Sequence, residues 1–413
     1  MDSIEKIPTP QVGIIGLGMI GGGVAVSLVR SGITPTAVYD IRPDASEKLE
    51  GVPAQVATPA EVGRLSDIVM LAVVNTAQAR DVLSSEHGLL STTREGTIIV
   101  LLSTVSMQDL RELSGLCESH GAVLLDAGVT GGTKAAENGL VVMLGGSDDV
   151  VERAMPALNG FAKAVVHCGP SGTGMVTKLA RNAITYGQWA LIHEATALAQ
   201  VGGVAPDRLL KALVEGDDPG TDRLNLLKGA VAGYKTPEER VVSADYLAQK
   251  DLGAAQDFAA EMGVETPLIN DIRPKMRDVY AGKQPEKLSE DTHARGLEMM
   301  DRVYGEGFSQ QVPPAPAVPS IDHTVERLFA GVWDRPYLTL RDRRLFTLGI
   351  TAMLGRADLL ETQLRGALAN RELTPEQLRE IVLHGHYYAG WGNGTVLQGV
   401  VEKLLYEASN DLK

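Results

Sequence analysis

The sequence predicts a doubly wound α/β domain followed by two all-α regions. The first observation is a series of short apolar runs, separated by polar or helical stretches, at residues 12–15, 36–39, 68–73, 97–102 and 122–125. Such runs are typical of a mostly parallel sheet with both faces covered. The second is a change after Gly174 to long segments rich in Ala, Leu and Glu. The third is a proline-rich stretch without periodicity at residues 310–320 (QQVPPAPAVPS).

Apolar periodicity predicts the helices of each region. In the α/β region, helical patterns lie between predicted strands at residues 22–30 and 107–119. In the second region they cover residues 175–201, 206–215, 242–262 and 268–280. In the third region they cover residues 325–331, 340–354, 359–370, 375–388 and 395–408. Thr374 followed by Pro375 fits a helix N-cap with proline at the first helical position.

The length of 413 residues is too great for one ordinary hydrophobic core, so several domains are expected. We predict an α/β domain at residues 10–172 and a helical domain at 173–308. A Pro-rich linker at 309–322 precedes a C-terminal helical domain at 323–413. Because proline-rich segments behave as extended, semi-rigid spacers, we expect few contacts to cross this one.

The charge and composition exclude several functional classes. A net charge of −14 argues against attraction to nucleic acid, because neutralising phosphates requires clustered Lys and Arg. The longest apolar run, residues 68–74, is too short to span a bilayer, and residues 1–10 lack a signal-peptide core. We therefore expect no nucleic-acid partner, no membrane association and a cytoplasmic location. Cys117 and Cys168 form no C-x-x-C pair and are expected to be reduced thiols.

A glycine-rich turn follows the first predicted strand and precedes the first predicted helix. It has the pattern G-x-G-x-x-G and comprises Gly16, Leu17, Gly18, Met19, Ile20 and Gly21. In such a turn the first glycine permits a sharp bend, the second admits a pyrophosphate, and the third allows close helix packing. The context favours a dinucleotide-binding Rossmann domain over a glycine-rich turn without a ligand.

Asp40 and Arg42 bear on the choice of dinucleotide. Asp40 ends the second predicted strand, near the offset of about 20 residues expected for an acid that binds the ribose. Its carboxylate would accept hydrogen bonds from the ribose hydroxyls and repel a 2′-phosphate, which favours NAD. Arg42 leaves NADP open because a guanidinium pairs well with that phosphate; the alternative is a solvated surface arginine.

Four further segments follow in order: residues 102–104 (LST), 126–133 (DAGVTGGT), 169–182 (GPSGTGMVTKLARN) and 250–252 (KDL). Together with the glycine turn they resemble the β-hydroxyacid dehydrogenase family, which includes 3-hydroxyisobutyrate dehydrogenase-like and 6-phosphogluconate dehydrogenase-like proteins. The similarity covers roughly residues 11–300. Residues 74–78 (VNTAQ) resemble the threonate-type branch most. The resemblance implies an all-α dehydrogenase domain for substrate binding and dimerisation after the Rossmann domain.

The resemblance also implies the residues of the reaction site. Lys178 is the implied catalytic base. A lysine held among apolar helices has a lowered pKa, and its neutral amine can take the hydroxyl proton. Asn182, one turn later on the same helix face, is a substrate ligand. The other implied residues are the substrate ligands Thr130, Gly131, Gly132 and Lys250, and the cofactor ligands Val74, Asn75, Thr104 and, again, Lys250. A solvated lysine and a plain glycine turn are the structural alternatives.

Two positions depart from the family pattern. The family usually has Ser where this chain has Thr130, so the hydroxyl donor is kept and a methyl group is added. Arg181 replaces the first of two usual asparagines, and it either binds a second acidic group or packs outward. Asp251 is expected to be a structural helix partner, and we assign no chemistry to His167 or His193.

The C-terminal region carries a second set of segments: residues 340–345 (LRDRRL), 367–368 (AL), 373–378 (LTPEQL) and 384–393 (HGHYYAGWGN). They resemble the carboxymuconolactone decarboxylase family over about 85 residues. The resemblance implies an all-α carboxymuconolactone decarboxylase-like domain with His384 as candidate acid and Tyr388 beside it in a second site. Gln363 stands where family enzymes commonly have another histidine, which favours an oligomerisation module. We expect no metal at His384 and His386, because these helical positions diverge.

The leading hypothesis is a fusion protein that oxidises a small 3-hydroxy acid to the 3-oxo acid or semialdehyde, or catalyses the reverse reduction, with NAD or alternatively NADP. Its expected partners are a small-molecule hydroxy acid and further copies of the same chain, as a homo-oligomer. The C-terminal helical domain either decarboxylates a β-keto product or assembles subunits. The alternatives are an imine or semialdehyde reductase and a non-catalytic nucleotide-sensing scaffold. Retention of Lys178 favours alcohol oxidation.

Overall fold

Buried apolar runs build one sheet in the first of two structural units, Met1–Ala190 and Leu191–Lys413. The computed structural model describes residues 10–216, 224–283 and 287–410. The strands are β1 (Val12–Ile15), β2 (Ala37–Tyr39), β3 (Ile68–Leu71), β4 (Ile98–Leu101), β5 (Val123–Thr130), β6 (Leu140–Gly145) and β7 (Ala162–Gly169). Their order is β2-β1-β3-β4-β5-β6-β7, and all neighbours are parallel except the antiparallel pair β5–β6.

The predicted strands agree with the first five strands of this sheet, and the sequence analysis misses β6 and β7. A signal for β6 exists in the apolar run LVVML, which is buried at all but one position. No comparable signal exists for β7, because it lies at the edge of the sheet and none of its side chains is fully buried. An edge strand needs little apolar sequence.

Helices cover both faces of the sheet, as predicted. Alternate strand residues enter separate cores: Ile14 packs in a cluster with Leu28, whereas Ile15 belongs to a cluster with Leu113. Thr58, Asn75 and Ser106 cap three of the covering helices, each accepting a backbone N–H. The helices are α1 (Met19–Arg30), α2 (Pro59–Leu65), α3 (Thr76–Ser84), α4 (Met107–Glu118) and α5 (Asp148–Asn159).

Long helices replace the sheet from residue 173 onward. The first of them begins in one unit and ends in the other. The helices are α6 (Thr173–Val201), α7 (Pro206–Glu215), α8 (Asn225–Val231), α9 (Glu238–Met262), α10 (Pro267–Ile272) and α11 (Met276–Ala281). The prediction of one helix over residues 268–280 is wrong. Pro274, in a 3₁₀ turn between α10 and α11, lacks the N–H that a continuous helix would need there.

The all-α prediction for residues 323–413 is confirmed, and two helices at residues 292–304 and 319–323 add to the predicted ones. The region from residue 292 onward is helical in its described part. It comprises α12 (Thr292–Tyr304), α13 (Pro319–His323), a π-type helix (Thr324–Trp333), α14 (Leu340–Met353), α15 (Ala357–Ala369), α16 (Pro375–Tyr388) and α17 (Trp391–Asn410). Thr339 and Thr374 begin α14 and α16 with complete capping boxes. Within the described ranges, no helix combines the length and apolar character needed to cross a membrane.

The residues on either side of the proline-rich segment pack into one core rather than into two separate ones. Val303, which precedes it, is buried in the same cluster as Phe329 and Trp333, which follow it. A Cβ on Gly296 of α12 would overlap the Val325 carbonyl oxygen, so the two helices are in direct backbone contact. The expectation that few contacts cross this segment is therefore wrong, because the chain folds back and α12 packs on the helices after it.

Candidate active site

The glycine turn joins β1 to α1. Gly16 has a φ of +86°, and a Cβ there would overlap the carbonyl oxygen of Ala72. A Cβ on Gly21 would overlap the Gly16 carbonyl oxygen, so this position also requires glycine. At Gly18, by contrast, an added Cβ would meet no protein atom within 4 Å. The missing side chain leaves room beside the N-terminus of α1, where a pyrophosphate would approach.

The Asp40 carboxylate lies beside this turn. Its Oδ2 accepts a hydrogen bond from the backbone N–H of Leu17 at 2.7 Å. Arg42 donates to the same carboxylate from its backbone N–H and its Nε, each at 2.9 Å. Burial raises the pKa of Asp40, but the hydrogen bonds from Arg42 and Leu17 outweigh it and hold the pKa below its usual value. The carboxylate is therefore ionised at neutral pH and holds Arg42 close.

A cavity of about 570 Å³ opens beside the turn. Its lining includes Gly18, Asp40, Arg42 and two exposed apolar side chains, Ile41 and Val74. The lining of this cavity suits a dinucleotide. Backbone N–H groups of the turn can donate to the pyrophosphate, and the Asp40 carboxylate can accept from the ribose hydroxyls. The apolar side chains can pack against a flat base. Of the predicted cofactor residues, Gly16, Gly18, Asp40, Arg42 and Val74 line this cavity.

Ser103 ties the ends of β3 and β4 together. Its hydroxyl donates to the Val73 carbonyl oxygen at 2.6 Å and accepts from the Val73 N–H at 3.0 Å. These two hydrogen bonds hold the backbone close to two predicted cofactor residues, Asn75 and the exposed Thr104. The Asn75 side chain also caps α3, because its Oδ1 accepts from the N–H of Gln78 at 2.9 Å. The sequence assigns no role to Ser103.

The loop of Thr130, Gly131 and Gly132 follows β5 and meets the cofactor turn. Gly131 has a φ of +87°, which favours glycine. A Cβ on Gly132 would lie 3.0 Å from Ile20 Cδ1 and 3.7 Å from Met19 Sδ. The predicted substrate loop and the predicted cofactor turn are therefore neighbours.

Two residues that the sequence analysis misses anchor this loop to α1. The buried Ser27 donates from Oγ to the Ala135 carbonyl oxygen at 2.7 Å and accepts from the Asn138 N–H at 3.1 Å. Asn138 has a φ of +54° and donates from Nδ2 to the Gly160 carbonyl oxygen at 2.7 Å. No local signal marks these contacts, since Ser27 and its partners are far apart in sequence.

Lys178 lies in the second turn of α6, directly against β5. A Cβ on Gly128 would overlap the Lys178 Cβ and lie 2.9 Å from its Cγ. A Cβ on Gly174 would lie 2.6 Å from the carbonyl oxygen of Asp126 and 2.5 Å from that of Met143. The two glycines thus let the first turns of α6 lie on the sheet without intervening side chains.

The carboxylate of Asp126 fixes the start of α6. It is fully buried, and its two oxygens accept the backbone N–H groups of Gly172 and Met175, each at 2.7 Å. The first N–H groups of a helix have no partner within the helix, and a negative charge there is favoured by the helix dipole. Sequence reasoning includes Asp126 in a motif but gives it no function, because its two partners lie in a distant segment.

Lys178 is half-buried and its pKa is lowered. Burial is the larger cause, and the positive charge of Arg181 is the second. Both favour the neutral amine, which is the form that accepts a proton. Arg181 donates from a terminal nitrogen to Asn182 Oδ1 at 3.3 Å.

Lys250 lies in the second unit, on α9, with a mostly exposed side chain. Its Nζ is 3.3 Å from the carboxylate of Asp251. Arg273 holds this part of α9, donating from Nε to Gln249 at 3.2 Å and from a terminal nitrogen to Gln256. The role of Lys250 toward cofactor and substrate stays a prediction.

In the C-terminal region, His384 and Tyr388 stack one turn apart on α16 with ring centroids 4.5 Å apart. Both line a cavity of about 460 Å³ whose other walls are mainly apolar. His386 is buried instead, and its Nδ1 lies 2.8 Å from the Val382 carbonyl oxygen. Among the residues that the structure describes, no group of three or more His, Cys, Asp or Glu is placed to hold a metal ion.

Gln363 takes part in a buried network centred on Arg344. Arg344 donates to Gln363 Oε1 at 2.7 Å, and Gln363 Nε2 donates to the Tyr304 hydroxyl at 3.1 Å. The Glu372 carboxylate accepts two further bonds from Arg344, at 3.0 and 3.2 Å. Both polar ends of the Gln363 amide are satisfied here, and the residue does not line the cavity of His384.

Three family models match the chain. The NAD binding domain of 6-phosphogluconate dehydrogenase matches residues 11–169, and the NAD-binding domain of NADP-dependent 3-hydroxyisobutyrate dehydrogenase matches residues 172–293. The carboxymuconolactone decarboxylase family matches residues 319–401. Both resemblances, and the fusion of the two, are confirmed.

Similar proteins are named as dehydrogenases of small hydroxy acids. The mitochondrial 3-hydroxyisobutyrate dehydrogenase of Mus musculus is 32% identical over 265 residues, which are 62% of this chain and 78% of that protein. The L-threonate dehydrogenase of Haemophilus influenzae is 32% identical over 256 residues, 61% of this chain and 83% of that protein. The 2-(hydroxymethyl)glutarate dehydrogenase of Eubacterium barkeri is 30% identical over 270 residues, 62% and 85% of the two chains.

Solved structures show the same architecture. An oxidoreductase from Mycobacterium avium 104 is 26% identical, covers 66% of this chain and 99% of its own, and has a TM-score of 0.57. An imine reductase from Myxococcus stipitatus shares the fold, with 18% identity and a TM-score of 0.58. The match covers 65% of this chain and 93% of that protein. The chain therefore belongs to the 3-hydroxyisobutyrate dehydrogenase family of NAD(P)-dependent hydroxyacid oxidoreductases, and it carries a C-terminal domain of the carboxymuconolactone decarboxylase family.

Proposed function

We propose that this chain oxidises a small 3-hydroxy acid at its hydroxyl-bearing carbon, with Lys178 as the proton acceptor. The observation that carries the proposal is the position of Lys178. Its stem lies against Gly128 on β5, two residues before the Thr130 loop, and its pKa is lowered by burial and by Arg181. A lower pKa raises the fraction of neutral amine, which is the form that can take the hydroxyl proton.

The other site residues position the substrate around Lys178. The backbone N–H groups of Gly131 and Gly132 and the Thr130 hydroxyl suit the substrate carboxylate. Asn182 suits the hydroxyl, since it lies one turn beyond Lys178 on the same helix face. NAD(P), held by the glycine turn and Asp40, supplies the hydride acceptor.

NAD is the proposed preferred cofactor. Asp40 is ionised and nearly enclosed, and its carboxylate already binds Arg42 through three hydrogen bonds. A 2′-phosphate would be repelled by this carboxylate and would compete with it for the guanidinium. NADP remains the alternative, because Arg42 itself is exposed at the cavity.

The decisive test replaces Lys178. The Lys178→Ala variant should lose turnover with 3-hydroxy acids by about 100- to 10,000-fold, the range of general base catalysis. Binding of NADH, followed by fluorescence, should remain close to that of the unchanged protein, because the lysine acts on the substrate. Turnover near the wild-type value in a folded variant would remove Lys178 from the mechanism.

The substrate class is proposed from the relatives. The three named above are dehydrogenases of 3-hydroxyisobutyrate, L-threonate and 2-(hydroxymethyl)glutarate. The imine reductase likeness concerns the fold alone, and the presence of Lys178, Asn182 and the Thr130 loop favours alcohol oxidation. The same residues argue against a non-catalytic scaffold. A panel of small hydroxy acids, assayed for NAD reduction, separates these alternatives.

The C-terminal domain is proposed mainly to assemble subunits into a trimer or hexamer. Leu383, Tyr387, Tyr388 and Trp391 present exposed apolar side chains on α16 and α17, a surface that commonly marks a protein contact. Light scattering should show a smaller assembly for the Tyr387→Ser/Trp391→Ser double variant. An unchanged mass would reject the proposal. Loss of CO₂ release from a β-keto acid on His384→Ala would instead favour the decarboxylase alternative.

A further inference from the structure

Arg181 places a second positive charge beside Lys178. The two residues are one turn apart on the same face of α6, and Asn182 follows directly. Arg181 is exposed, and its side chain contacts Asn182 Oδ1 at 3.3 Å. Within the described ranges, no carboxylate lies within salt-bridge distance of its guanidinium. In a chain with a net charge of −14, Arg181 is thus an exposed cation one helical turn from the proposed base.

A substrate with a single carboxylate has no negative group left for the Arg181 guanidinium to bind. The substrate carboxylate is assigned to the Thr130 loop, and the hydroxyl proton is assigned to Lys178. A like charge one turn from Lys178 repels the protonated amine, which an anion bound at Arg181 would offset. The arrangement therefore fits a substrate that has one more negative group than the loop can hold.

We propose that Arg181 is a specificity residue that binds a second carboxylate, and that the substrates of this chain are dicarboxylic 3-hydroxy acids. The inference rests on the proposed function. A guanidinium matches a carboxylate with two parallel hydrogen bonds, which an asparagine at this position cannot provide. Asn182 Oδ1 accepts from Arg181 at 3.3 Å, so the Asn182 amide N–H₂ is the group that we expect to donate to the substrate.

The test compares three substrates that share one reacting end. These are 3-hydroxyisobutyrate, 2-(hydroxymethyl)glutarate and 2-(hydroxymethyl)pentanoate. All have a CH₂OH group and a carboxylate on the same carbon. The second adds a distal carboxylate, and the third has a chain of similar length without that charge. The measured quantity is the kcat/KM of the glutarate divided by that of the pentanoate.

Three full-length variants complete the design. Arg181→Asn should lower the ratio by about 10- to 100-fold, the value of a charge-assisted hydrogen bond, mainly through KM. Arg181→Lys should keep part of the preference because it keeps the charge. Arg64→Asn removes one positive charge from the last turn of α2, and should leave the ratio at the wild-type value.

The outcomes separate the two proposals. A wild-type preference for the glutarate that falls in Arg181→Asn and not in Arg64→Asn supports the role of Arg181. Oxidation of all three acids with a ratio that Arg181→Asn leaves unchanged overturns it, while the proposed function stands. Failure to oxidise any 3-hydroxy acid would instead reject the proposed function itself.

Discussion

Gly128 on β5 lies so close to Lys178 on α6 that a Cβ on the glycine would overlap the lysine stem and lie 2.9 Å from its Cγ. The start of the lysine side chain is therefore packed against the sheet as well as held by its own helix. A lysine has four rotatable bonds, and contact along the stem removes part of that freedom. The relationship makes Gly128 a positioning residue for the proposed base.

Gly128→Ala should lower kcat by about tenfold or more, because a displacement of about 1 Å at a reacting group is costly. NADH affinity should change little, since the glycine turn is on other elements. Gly115→Ala on α4 is the matched control, because a Cβ there meets no neighbour within 4 Å. Equal kcat in the two variants would contradict the positioning role.

Asp126→Asn should destabilise the start of α6. An amide presents an N–H₂ group toward one of the two backbone donors that the carboxylate now satisfies, so we expect a loss of about 2 kcal/mol or more in unfolding free energy. Hydrogen exchange at the Gly172 and Met175 amides should accelerate, and kcat should fall with it. Glu152→Gln, an exposed change on α5, is the control. Unaltered exchange at these two amides would show that the cap is dispensable.

The cofactor preference should depend on the pair formed by Asp40 and Arg42. Asp40→Ala removes the repulsion of a 2′-phosphate and releases the guanidinium, so kcat/KM for NADP should rise relative to NAD. The double variant Asp40→Ala/Arg42→Ala should lose that gain. A wild-type preference for NADP would show that Arg42 sets recognition instead.

The pH dependence of turnover should report the lowered pKa of Lys178. Activity should rise with pH as the amine loses its proton, with a midpoint below the ordinary lysine value, because burial and then Arg181 disfavour the charged form. Arg181→Asn removes the second cause, so the rising limb should move to higher pH. A shift to lower pH would mean that a different group limits the rate.

Cleavage inside the proline-rich segment should not separate the chain into free domains. A protease site inserted within residues 313–317 would leave Val303 on one fragment and Phe329 on the other, both in one buried cluster. The nicked protein should elute as one species under native conditions and separate only in denaturant. Independent elution of the fragments would restore the interpretation of this segment as a spacer.

The sequence by itself determined the Rossmann strand pattern up to β5, the glycine turn and most helices, because these depend on local periodicity and on backbone requirements at single residues. It also identified the C-terminal domain, whose helices begin at recognisable caps such as Thr374. It failed at Pro274, where one residue divides a predicted helix, and at β7, where an edge strand needs little apolar sequence.

Only the tertiary structure decided which groups meet. Asp126 and Met175, Ser27 and Asn138, and Gly128 and Lys178 are distant in sequence, and their contacts depend on how closely a helix lies on the sheet or on its neighbour. The same holds for the core around the proline-rich segment. A linear pattern records which residues are apolar, charged or flexible, whereas hydrogen bonds and steric contacts between distant segments form only when packing brings those residues together.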